Sequence, residues 1–184
     1  MLGRPSAAVH ASPMSTAEAP QDGRHDFDFL FGDWTVENRR LDHPADPGCR
    51  HWQTFATTVH VEPIFGGLGH HDLFTSTPDA PSGPWQGFTL RLYDPADEQW
   101  RIWWTSTKAP GRLDPVMTGS FKGGTGTFFG SDTVEGTAVA CRFLWEQPGP
   151  SRARWTQAFR LSPGQEWITN WVMDMTRIAG DSRL

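Results

Sequence analysis

A chain of 184 residues with 21 acidic and 16 basic side chains carries a formal charge of −5. No general attraction draws it to phosphate backbones or anionic lipid, so neither nucleic acid nor a membrane surface is an expected partner. Its length suits one domain whose core needs no staple, and Cys49 and Cys141 are too few and too far apart for a disulfide framework or a zinc site. A reduced, cytoplasmic setting is the expectation.

In chain order, residues 1–24 are rich in Ala, Ser and Pro and hold no apolar run of the kind a signal peptide or membrane helix needs. They read as a disordered tail, with Met14 as a second candidate start, ahead of a single domain over 25–180. His25-Asp26-Phe27-Asp28-Phe29-Leu30-Phe31 then crowds apolar side chains before Gly32, too short for an independent helix but suited to one turn that plugs something.

Beyond Trp34, runs enriched in Val, Thr, Phe and Trp alternate with Pro, Gly and Asp clusters. Strands are expected over 34–41, 52–61, 69–76, 85–93, 99–106, 115–121, 126–134, 137–145, 152–161 and 166–177. Asp94-Pro95-Ala96-Asp97, Gly123-Gly124, Glu135-Gly136 and Ser162-Pro163-Gly164-Gln165 supply turn chemistry between them. No long amphipathic helix interrupts. The pattern predicts an all-β fold, a single antiparallel up-and-down barrel of about ten strands, closed so that no edge is exposed.

Alternation predicts which side chains face inward. Val139, Cys141, Phe143 and Trp145 share one face, as do Trp155, Gln157, Phe159 and Leu161. In the last strand Trp167, Thr169, Trp171, Met173, Met175 and Arg177 form the inward set. Farther back, Ile102 and Trp104 separate from Arg101 and Trp103, and Phe88, Leu90 and Leu92 from Thr89, Arg91 and Tyr93.

Gly32-Asp33-Trp34 matches the Gly-x-Trp that opens the first lipocalin strand, and Arg177 stands where a lipocalin arginine packs across that Trp. Together with Phe27 to Phe31, Arg154-Trp155-Thr156-Gln157-Ala158-Phe159 and Asn170-Trp171-Val172-Met173, these residues resemble the calycin/lipocalin superfamily, and within it bacterial families described only as domains of unknown function. The resemblance implies a fold and a structural closure by Trp34 and Arg177; it implies no activity. A secretion signal, a disulfide pair and a second lipocalin motif are missing. Residues 42–51 are too few for the helix pair that lids fatty-acid-binding proteins, which leaves a lidless barrel. Nitrobindin-like barrels, a more distant resemblance, bind haem through a histidine near the mouth. Their glycine-alternating run is replaced here by Thr35-Val36-Glu37-Asn38, so no cofactor is expected and haem is the lesser alternative.

The ten tryptophans are the main candidate chemistry. Core packing is the simpler role for any one of them. As a set, Trp104, Trp155 and Trp171 with Phe55 and Met173 suit the wall of a pocket for a planar or apolar molecule, with Met175 as filler and Gln157, Thr169 or Ser106 orienting it. His60, His70, His71 and Asp72 fall in one hairpin. His60 and His70 can approach across it with Asp72 orienting one imidazole, as a metal pair or as a general base with its carboxylate partner, and His60, His71 and Asp72 are the candidate catalytic groups, although adjacent His70 and His71 must point to opposite faces. Solvated rim histidines are the bland alternative. Asp132, Glu135 and Asp174 read as solvated surface, and Lys108-Ala109-Pro110-Gly111-Arg112 as a basic loop at the mouth suited to an anionic ligand group. No triad elbow, phosphate loop or zinc motif is present.

Two functions follow. The first is binding of a small, largely apolar or aromatic metabolite inside the barrel. The second is a cofactor-independent enzyme of the isomerase, cyclase or hydratase kind, in which a His or Asp moves a proton in the same cavity. A buried, inward-facing ionisable group beside a polar partner favours the enzyme; an interior of Trp, Met, Phe and neutral amides favours binding. The oligomeric state is not legible.

Overall fold

The computed structural model describes residues 22–81 and 83–179. Ten strands follow one another: β1 Gly32–Leu41, β2 Trp52–Ile64, β3 Gly69–Ser76, β4 Gln86–Asp94, β5 Gln99–Ser106, β6 Met117–Lys122, β7 Thr125–Val134, β8 Thr137–Gly149, β9 Arg152–Arg160 and β10 Ile168–Arg177. Each pairs antiparallel with its chain neighbours, and β1 pairs with β10 to close the barrel. This is the meander the turn residues predict. Gly123 and Gly124, at φ 58° and 82°, make the two-residue turn between β6 and β7, whose backbone twist matches that of the flanking strands. Among the described residues no helix is long and apolar enough to cross a membrane.

One end is sealed. Single 3-10 turns at Gly23–His25 and Asp28–Leu30 tuck Phe27 and Leu30, both fully buried, beneath the strands. The Phe27 ring lies 4.8 Å from Phe121, 5.0 Å from His70, 5.1 Å from Trp100 and 5.7 Å from Phe128. Burying that ring contributes roughly 2 to 3 kcal/mol. Asp22–Arg24, expected in the tail, belong to this seal: the Gly23 N–H donates to the Tyr93 hydroxyl at 2.9 Å and Trp100 Nε1 donates to the Gly23 carbonyl at 3.0 Å. The rest of the expected tail lies outside the described residues.

The inward sets on β8 and β9 stand as alternation predicts, with Val139, Cys141, Trp145 and Trp155 buried. On β10 alternation breaks. The register with β9 shifts between Thr169 and Trp171, Asn170 being the additional residue of a bulge. Trp171, Met173 and Met175 keep the inward face, but Thr169 pairs with Ala158 on the outer one. Trp167 is carried outside as well, against Phe129 at 6.0 Å and between the guanidinium groups of Arg142 and Arg160. On β4 the inward set is the polar one. Thr89, Arg91 and Tyr93 are buried while Phe88 is 38% exposed, because Arg91 meets a carboxylate inside.

Candidate functional site

Between the seal and the opposite end lies a cavity of about 300 Å³, at the small end of the range for ligand pockets. Trp104, Trp155, Trp171, Met173 and Gln157 all line it. Their rings hold one another edge to face: Trp155 and Trp171 at 5.5 Å and 83°, Phe74 and Trp104 at 5.7 Å and 82°. Trp104 owes its place to Gly87, where an added Cβ would sit 2.0 Å from the indole. Polar tethers fix the Trp171 ring and the Gln157 amide: Trp171 Nε1 donates to Asn38 Oδ1 at 3.0 Å, and Gln157 Nε2 donates to Asn170 Oδ1 at 2.8 Å. Phe55 is absent from the wall; it packs behind, 6.4 Å from both Trp85 and Trp171.

The structure divides the histidine hairpin between the two faces of the barrel. His60 faces outward, 2.6 Å from Asp33 and 3.0 Å from Glu62, and these hydrogen bonds, Glu62 first, raise its pKa. His71 is also on the outer face, stacked on Phe88 at 5.5 Å. His70 alone turns inward, but into the seal against Phe27 and Trp100, where burial first and then the Arg91 charge push its pKa down to about 2. The reason is the strand period: Asp72 and His70 share the inner face, His71 the outer. Among the described residues no histidine lines the cavity.

Asp72 does line the cavity. It is buried, accepts from Thr89 Oγ1 at 2.8 Å and is 2.5 Å from Arg91 Nη1. Arg91 in turn lies over the rings of Trp145 and Phe27 at 5.1 and 5.4 Å, and its buried Nε has no partner. One oxygen of Asp72 is thus engaged by the Thr89 hydroxyl and the other by the Arg91 guanidinium.

The mouth is more charged than the expected interior of neutral groups. Arg40, Lys108, Asp114 and Asp132 line the cavity there. Asp132, expected on solvated surface, is on the inward set of β7, and burial with the nearby Asp132 charge raises the pKa of Asp114. Burial, then Asp132 and Asp114, pushes the Cys141 thiol up to about 12. Of the basic loop after β5, Lys108 reaches the wall and Arg112 does not. Arg40 went unnoticed in the sequence, yet it continues the inward series Trp34, Val36, Asn38, which was the signal that could have found it. The barrel also has a partial cover. The β1–β2 loop brings Pro44 to the wall and His43 to 3.5 Å from Glu135 in the β7–β8 turn, although β1 and β7 stand four places apart around the ring.

No family model matches the chain, and no curated protein matches it. Among solved structures it is similar to the S-type phycobiliprotein lyase CPES from Guillardia theta, with a TM-score of 0.57 and 8% identity over 88% of this chain and 95% of that one. That likeness shows a calycin/lipocalin-like fold.

Proposed function

We propose that this barrel binds one small, largely aromatic molecule in the cavity walled by Trp104, Trp155 and Trp171. The observation that carries the reading is the cavity itself. Aromatic side chains of this size would ordinarily fill a core, but here the Trp171 tether to Asn38, the Trp104 seat on Gly87 and edge-to-face ring contacts hold the rings around a space of about 300 Å³. Small apolar walls with a few fixed polar groups are what ligand sites are made of. The likeness to a phycobiliprotein lyase supplies the fold only.

Titration with the uncharged fluorophore N-phenyl-1-naphthylamine tests this. Saturable one-to-one binding that quenches tryptophan emission is expected; no saturable binding would overturn it.

A second reading is favoured by one observation, the raised pKa of Asp114 beside Asp132 on the cavity wall. A carboxyl group kept protonated above its usual range suits a general acid. In that reading the proton-transfer group is this pair, with Asp72, buried beside Thr89 and Arg91 on the same wall, as a further carboxylate. Conversion of a bound molecule that stops in Asp114→Asn, with binding retained, would establish it.

A further inference from the structure

We infer that the bound molecule carries an anionic oxygen group, of the carboxylate kind, seated between Arg40 and Lys108 at the mouth while its aromatic body lies below. The inference rests on the cavity reading above and names the class of ligand.

Arg40 points inward because it follows Trp34, Val36 and Asn38 at the strand period. Its guanidinium lies 4.9 Å over the Trp171 ring, and Lys108 Nζ lies 4.5 Å over Trp85. Phe55 packs against both indoles, so the two cations cap the ends of one aromatic arc. A cation over an indole is stabilised by the ring while keeping its charge.

Two like charges on one rim oppose each other. Burial lowers the pKa of Arg40, and burial followed by the Arg40 charge lowers that of Lys108. The carboxylate acting on Arg40 is Glu135, which is half exposed and also 3.5 Å from His43. Arg40 Nε is buried and makes no hydrogen bond, an arrangement that costs free energy until an acceptor arrives. An oxyanion at this edge would accept from Arg40 and be drawn by the Lys108 charge. Asp132 repels it from the neighbouring stretch of wall, where burial and this charge already raise the Cys141 thiol. The anion is thereby confined to the Arg40–Lys108 edge.

Two probes with one aromatic body separate this from the cavity reading: N-phenyl-1-naphthylamine, which is neutral, and its 8-sulfonate. At low salt the sulfonate is expected to bind about tenfold more tightly than the neutral probe, the size of one or two charge-assisted hydrogen bonds, and added salt should erode that ratio. Lys108→Gln, in an exposed loop, and Arg40→Gln should each bring the ratio towards unity. Arg142→Gln, at the outer Trp167 cluster, should leave it as in the parent protein. Equal affinity for the two probes, or a ratio that survives both mouth substitutions, would overturn the inference alone. Failure of the neutral probe to bind would overturn the cavity reading and this inference with it.

Discussion

The Arg177 guanidinium lies 4.3 Å from the ring centroid of Trp34 and donates to the carbonyls of Phe29 and Phe31. Trp34 itself donates to the Leu30 carbonyl at 2.7 Å. The last residue of β10 thus holds the sealing turn against the first strand, with which it is in register. Arg177→Met removes two charge-assisted hydrogen bonds and the cation–π contact together, and should cost about 3 kcal/mol in urea unfolding. Arg177→Lys should recover less than half, since an ammonium cannot fork between two carbonyls. A loss below about 0.5 kcal/mol, the range of ordinary surface changes, would show that the seal holds without it.

Asp72 and Arg91 form a buried pair whose members are 6% and 4% exposed. Asp72→Asn leaves the guanidinium uncompensated and is expected to destabilise by about 3 to 5 kcal/mol. Asp72→Leu combined with Arg91→Met should cost less than the single change, because no charge is stranded. Additive losses in that double-mutant cycle would contradict the pairing.

His70 gives stability a pH dependence of definite sign. The unfolded chain takes up its proton near 6.5, while the folded pKa is pushed down to about 2 by burial. Above pH 6.5 both states are neutral and nothing is gained or lost. Below it the unfolded state binds the extra proton, so this group removes about 1.4 kcal/mol per pH unit. Subtracting the pH–stability curve of His70→Leu from that of the parent protein should isolate this slope between pH 6.5 and 4.5. Parallel curves would mean that His70 is not held neutral.

The barrel was legible in the sequence because its turns are written in local chemistry: Gly123-Gly124 and Glu135-Gly136 stand between runs with the strand period, and observed strand ends differ by only a few residues from those expected. The Trp34–Arg177 closure came instead from the lipocalin resemblance that Gly32-Asp33-Trp34 and Arg177 carry. What alternation could not supply was the bulge at Asn170, which turns Trp167 and Thr169 outward with no compositional warning. The aromatic wall followed from parity. The charges did not. Arg91 and Asp72 were split between two strands, Asp132 read locally as surface, and Arg40 and Asp114 drew no notice. A buried ion pair or a charged rim is a tertiary fact, visible only once β1, β3, β4 and β7 are brought round one axis. The His60 to Asp72 hairpin shows the converse, a cluster dense in sequence whose members the strand period divides between two faces.

The central claim is that the space enclosed by Trp104, Trp155 and Trp171 is the binding site. Cys141 lines that space from β8, so Cys141→Phe fills it from within while the mouth and the seal stay as they are. The direct measurement is the affinity of N-phenyl-1-naphthylamine for this variant and for the parent, each with its thermal unfolding midpoint. The account predicts saturable one-to-one binding by the parent and at least a tenfold loss, or about 1.4 kcal/mol, in a variant that still unfolds cooperatively. Undiminished affinity in a folded Cys141→Phe protein would place the ligand elsewhere and contradict it.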